Sequence, residues 1–452
     1  MRAARALASL CTLLLAACAT YGRIDNRPLA VAGVDTGYGM RQQAMQPESR
    51  PDDITLMLSF SGGGSRAAAL AYGVLLELRD TRVAGGRRLL DEVDAISAVS
   101  GGSFTAAYYG LHGDATFRDV EARFLRRDVA GDVLQRILNP LRWFTSEGRS
   151  TAAATQYDAL LFHGATFDDL QRGSGPLIVI NATDLEAGTR FAFLQEHFDL
   201  LCSDLLRYPL ASAVAASSAV PVLFEPMVLE NHDGCMPRAL PNGVETPQLQ
   251  QAVAGLRGYA DKQARRYVHL ADGGLSDNLG LRAFQETIDL AGGMRPFLER
   301  IGRAPNEHIV AIVVDASGHA AEGLGLSSRA PSLLRAVDIM SDVQLHRYNA
   351  ATVEKMQESM QRWAGQQSTP ARPLAPWLLT VALRDVPDPA ARSRLSRIST
   401  GFALEPAQVA ELVAAGRALL RDNPRFRGLL RQLGPPAGSD VANGETGLAT
   451  LR

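Results

Sequence analysis

Three times along this chain a short apolar run of strand length ends abruptly in small residues that open onto a helix-forming stretch or a tight turn. Ile54–Phe60 runs into Ser61-Gly62-Gly63-Gly64, Val93–Val99 into Ser100-Gly101-Gly102, and Tyr267–Ala271 into Asp272-Gly273-Gly274. Ile309–Val314 is a continuous apolar run, as expected for a sheet strand buried on both faces, as in a parallel sheet covered by helices. Ser65–Arg79 and Gly101–Leu111 read as the helices after the first two turns. Leu177–Ala182, Phe191–Leu194 and Ile309–Val314 read as further strands, and Glu405–Arg421 as an amphipathic helix. Ile339–Trp363 mixes polar and apolar residues and is expected to be a long surface helix. Alternating strands and helices imply an α/β sheet layered between helices. With 46% hydrophobic and 21% charged residues, the chain can fill the core such a fold needs.

The N-terminus obeys different rules. Arg2 and Arg5 precede an Ala/Leu-rich run, Ala6–Ala17, which is too short to span a bilayer comfortably and has the shape of a secretory signal. It ends Leu15-Ala16-Ala17-Cys18, which resembles a bacterial lipobox. That resemblance implies a signal peptide over 1–17, lipidation of Cys18, and an anchor of acyl chains in the cell envelope. Residue 19 is Ala and not Asp, which favours the outer membrane. Residues 18–51 are expected to form a polar tether, 52–434 one catalytic domain, and 435–452 a flexible tail. Export would leave Cys202 and Cys235 in an oxidising compartment, either bridged or as two separate thiols. The formal net charge of −2 gives no reason to expect nucleic-acid binding.

Each glycine turn could carry chemistry. Gly62-Gly63-Gly64 can aim backbone N–H groups at an anion, with a helix N-terminus behind them. Ala98-Val99-Ser100-Gly101-Gly102 is one residue from G-x-S-x-G, the turn that lifts a nucleophilic serine out of a sheet. Asp272 ends a strand. Taken singly, these read as an anion loop, a helix cap and a turn aspartate.

Taken together and in order, they resemble the patatin-like phospholipase family, as do Ala216-Ser217-Ser218-Ala219-Val220-Pro221 and Asp272 through Asn278-Leu279-Gly280. The resemblance implies a patatin-like three-layer α/β/α sandwich with a mainly parallel central sheet. It implies a serine acyl hydrolase acting on lipid esters, with phospholipid as the leading substrate. Ser100 would be the nucleophile and Asp272 the base. Gly62, Gly63, Gly64 and Gly101 would form the oxyanion hole, with Arg66 either holding the loop or facing a phosphate. No metal or other cofactor is expected. The partners would be a lipid substrate and the membrane reached through the anchor. The departures are Ser61 (often Asp in the family), Ala67 (often Gly) and Ala98 (usually Gly).

Several rivals stay open at this point. Ser100, Asp315 and His319 fit the Ser…Asp…His order of α/β-hydrolases. Ser65 is a second candidate nucleophile. Gly62-x-Gly64-x-x-Ala67 satisfies a dinucleotide fingerprint formally, but the next strand ends in Ser100 where an acidic residue would be needed. An acyltransferase shares the first half-reaction, and an envelope lipoprotein without activity could keep the fold. The apolar cluster Val133-Leu134, Ile137-Leu138, Leu141 and Trp143-Phe144, broken by Pro140, is expected to pack into the core.

Overall fold

The structure is a computed structural model, and it describes residues 23–29, 37–40, 54–138, 148–235, 240, 246–318, 324–326, 328–370 and 373–434. Cys18, Pro140, Leu141, Trp143, Phe144, His319 and the tail 435–452 lie outside the described residues.

Eight strands make the central sheet: β1 (Ile54–Phe60), β2 (Val93–Val99), β3 (Leu177–Asp184), β4 (Thr189–Ala192), β5 (Met227–Glu230), β6 (Tyr267–Asp272), β7 (His308–Asp315) and β8 (Trp377–Ala382). The spatial order is β8-β7-β1-β2-β3-β6-β5, with β4 paired to β3. β8, β7, β1, β2 and β3 run parallel. β4 and β6 pair antiparallel with β3, and β5 with β6. The helices that matter most for the site and its surroundings are α1 (Gly64–Asp80), α2 (Gly101–His112), α3 (Val129–Ile137), α4 (Arg149–Tyr157), α5 (Leu210–Ser217), α6 (Arg282–Leu290), α7 (Leu333–Gln367) and α8 (Pro406–Arg421). Sheet and helices form a three-layer α/β/α sandwich, the expected fold.

The buried runs became the central strands because both of their faces are covered: every residue of β3 is buried. α1 is buried along nearly its whole length, since α8 lies directly on it. The two helices touch backbone to backbone. A Cβ on Gly73 would come within 2.3 Å of the Val413 carbonyl, and one on Gly416 within 2.4 Å of the Leu70 carbonyl.

The long helix α7 lies at the surface as expected, with most of its described residues exposed or half-buried and one stripe, Met356, Met360 and Trp363, buried against the core. Two expectations need correction. The Val133–Phe144 cluster does not all enter the core: Val133 is buried, but Leu134 and Leu138 face solvent. Parts of the expected tether are docked on the domain. Arg27–Pro28 pair with Ser203–Asp204, and Asn26 bonds to the Glu230 carbonyl. Tyr38 is buried with its hydroxyl on the Ile178 N–H at 2.6 Å. The strands missed from the sequence, β5 and β8, are a short sheet edge and the far edge beside β7.

Candidate active site

The sharpest local feature is Ser100, a residue with φ 49° and ψ −122° at the junction of β2 and α2. A non-glycine residue in this region is strained, and such strain collects at functional sites. The two glycines after the serine explain why the turn can close. A Cβ on Gly101 would lie 2.0 Å from the Gly64 carbonyl oxygen, and one on Gly102 would lie 2.8 Å from the carbonyl oxygens of both Phe60 and Ser61. Only glycine permits the elbow to press this closely on the loop after β1. Ala98, by contrast, is fully buried with its methyl accommodated.

The Ser100 hydroxyl is not used as a helix cap. It donates to Asp272 Oδ2 at 2.7 Å, across 172 residues of sequence. Asp272 ends β6, in register with Ala182 of β3. Its second oxygen, Oδ1, accepts the Gly274 N–H at 2.7 Å. Thr183 Oγ1 donates to the Asp272 carbonyl at 2.8 Å. Burial raises the Asp272 pKa from 3.8 to about 6, against the lowering effect of the Ser100 and Gly274 hydrogen bonds. A carboxylate held there can take a proton near neutral pH more readily than an exposed one. Among the described residues no histidine bonds to either partner.

The segment after α5 joins the two. The Ser100 N–H donates to Ser217 Oγ at 2.8 Å, and Ser217 Oγ donates to the Asn181 carbonyl at 2.6 Å. Gly273 N–H donates to the Ser217 carbonyl at 3.1 Å, and Asp272 N–H to the Ala219 carbonyl at 2.9 Å. Residues 217–219 therefore grip nucleophile and base at once. Behind the elbow, Asn181 Nδ2 donates to Ser97 Oγ and the Ala98 carbonyl, while Arg190 donates to Asn181 Oδ1. The sequence singles out this serine-rich segment without assigning it a role. The pairing of its hydroxyl with a backbone N–H leaves no sequence signature.

The glycine loop divides. Gly62 N–H already donates to the Asn278 carbonyl at 3.0 Å, which corrects its expected place among the oxyanion donors. The N–H groups of Gly63, Gly64 and Gly101 have no partner among the described residues. They sit at the N-termini of α1 and α2. The two backbones are in contact, since a Cβ on Gly101 would lie 2.6 Å from the Gly64 nitrogen. Two helix N-termini meeting beside Ser100 make a favourable place for negative charge.

The remaining candidates have other partners. Buried Arg66 donates from Nη1 to the carbonyls of Ser396 and Ile398 at 3.2 and 2.8 Å, so it holds the loop that packs against α1. Ser61 Oγ accepts the Ala316 N–H at 2.9 Å. Buried Ser65 has its N–H on the Gly401 carbonyl. Asp315 pairs with Arg384 at 2.5 Å and accepts the Ser317 N–H. Cys202 and Cys235 form a disulfide. Among the described residues no cluster of His, Cys, Asp or Glu has the makings of a metal site, and no helix is long and apolar enough to cross a membrane.

A serine on a strand-to-helix elbow is thus bonded to a buried aspartate at the end of β6, two places along the sheet with β3 between them, within an α/β sandwich. The family model for patatin-like phospholipases matches residues 58–284, just over half of the chain, and the protein belongs to that family. No curated protein matches the chain. Among solved structures it is similar to human GIVD cytosolic phospholipase A2, at 13% identity and a TM-score of 0.44, covering 91% of this chain and 68% of that one. It is also similar to VipD from Legionella pneumophila, at 11% identity and a TM-score of 0.31, covering 92% and 71%. At these scores neither likeness carries an argument about activity.

Proposed function

We propose that this protein is a serine acyl hydrolase that cleaves phospholipid acyl esters through a Ser100–Asp272 dyad. The observation that carries the reading is the 2.7 Å hydrogen bond from Ser100 Oγ to Asp272 Oδ2, made from a strained elbow. An alcohol needs a base beside it to attack an ester. As Ser100 Oγ bonds to the acyl carbon, its proton passes to Asp272. The charge that grows on the carbonyl oxygen meets the N–H groups of Gly63, Gly64 and Gly101. A preorganised donor of this kind contributes roughly 3–4 kcal/mol. The leaving alkoxide takes the proton from Asp272 as the C–O bond breaks, leaving an acyl-serine. Water then attacks, gives its proton to Asp272, and the fatty acid departs as Ser100 Oγ is reprotonated.

The lipobox-like Leu15-Ala16-Ala17-Cys18 supports an envelope lipoprotein cut before Cys18, with the acyl anchor in the outer membrane and the hydrolase domain over residues 52–434. The Cys202–Cys235 disulfide agrees with an oxidising compartment.

The test is incubation of the mature protein with phospholipid vesicles and mass-spectrometric product analysis, with and without glycerol as acceptor. Free fatty acid and lysophospholipid, dependent on Ser100, are expected. Acylated glycerol at the expense of fatty acid would make the protein an acyltransferase, and no product of either kind would set the reading aside.

A further inference from the structure

The clamp at residues 217–219 continues into an exposed turn. Phe224 N–H donates to the Val220 carbonyl at 3.0 Å and closes it. At its tip Val222 has φ 75° and is 88% exposed. A β-branched residue is a poor choice for left-handed backbone, where glycine or asparagine fits without strain. Leu223 beside it is 62% exposed, Val220 is also exposed, and Leu275, three residues past Asp272, is 55% exposed.

The turn is held firmly in place. Arg149, at the start of α4, donates from Nη1 to the Val222 carbonyl at 3.2 Å. Its backbone N–H and Nε each reach the Glu225 carboxylate at 2.7 Å. The Ser150 hydroxyl donates to the Glu225 carbonyl. These bonds fix a strained aliphatic tip in solvent.

We propose that Val220, Val222, Leu223 and Leu275 are a docking surface that enters a phospholipid bilayer and brings the mouth of the dyad site to its lipid. The proposal rests on the hydrolase reading above and names where that reaction takes place. The turn is continuous with the base through the Asp272–Ala219 hydrogen bond, so whatever covers it lies at the site. Four aliphatic side chains offer on the order of a few hundred Å², well below the roughly 1,200 Å² of a stable protein interface. Such a surface suits shallow insertion among acyl chains better than a second copy of the chain.

The test places a fluorophore on Val222→Cys, and for comparison on Glu299→Cys at an exposed position of another helix, in the mature chain bound to phosphatidylethanolamine–phosphatidylglycerol vesicles. The Cys202–Cys235 pair stays oxidised during labelling. The label at 222 should be quenched by lipids brominated on their acyl chains, and the label at 299 should not. Val222→Asp/Leu223→Asp should lower hydrolysis of vesicle phospholipid about tenfold or more, since burial of even one such side chain is lost, while turnover of a soluble short-chain ester stays within twofold. A label at 222 that remains aqueous, with vesicle hydrolysis unchanged in the double variant, overturns the proposal. So does self-association that shields the label without lipid. Quenching at 222 in a protein that turns over no ester would uphold the docking surface and defeat the hydrolase reading alone.

Discussion

Replacing Asp272 by asparagine should abolish activity and stabilise the fold. Burial raises this carboxyl from 3.8 to about 6, so above that pH the folded protein holds a charge that the unfolded chain solvates better. Because its folded pKa lies above its unfolded one, the group costs no stability below about pH 4. The cost grows between pH 4 and 6 and is complete above 6. At ~1.4 kcal/mol per pH unit the full cost is about 3 kcal/mol. Asparagine carries no charge. Its oxygen still accepts the Gly274 N–H and its amide can face Ser100, so most of that energy should return. For a domain of this size, with an unfolding entropy of about 2 cal/mol/K per residue, the melting temperature should rise by about 4 °C. Thermal unfolding of wild type and Asp272→Asn would be followed from pH 4.5 to 8. The gap should open with rising pH and level off above about 6.5. A variant that is equally or less stable at pH 8, or a gap independent of pH, would refute the idea that the aspartate is held at an energetic cost.

The same displaced pKa should appear in catalysis: kcat/KM on a soluble ester should fall tenfold per pH unit below about 6, and a profile flat to pH 5 would contradict the role of Asp272 as base. Ser217→Ala strands the Ser100 N–H in a buried site, at roughly 1–3 kcal/mol. It should lower kcat about 10- to 100-fold with little change in KM, whereas a purely structural role would lower stability and leave the kcat of the folded fraction unchanged. Removing the Cys202–Cys235 bridge, which closes a loop with a sequence separation of 33, should cost about 3–4 kcal/mol in denaturant unfolding and leave turnover intact.

The sheet is largely legible in the sequence because β1, β2, β3 and β7 are buried on both faces, and so appear as mainly apolar runs of strand length. β5, only four residues long with alternating burial at the sheet edge, has no such run. Ser100 and Asp272 can be picked out because each closes a strand and precedes glycines that the close packing requires. Which N–H groups remain unpaired cannot be read. The loss of Gly62 as a donor depends on a tertiary bond to Asn278, and glycine spacing says nothing of it. The apolar cluster 133–144 misleads for a related reason. Successive residues of a helix point about 100° apart, so an apolar pair such as Val133 and Leu134 does not share one face, and here Val133 is covered and Leu134 exposed.

Labelling of the mature protein by a fluorophosphonate probe tests the dyad most directly. Wild type should label covalently at Ser100, with peptide mapping to confirm the site. Ser100→Ala should not label, Asp272→Asn should label at least 100-fold more slowly although folded, and His319→Ala should label at the wild-type rate. Labelling that survives in Ser100→Ala, or that is lost in His319→Ala with the fold intact, would contradict the assignment of Ser100 and Asp272 as nucleophile and base.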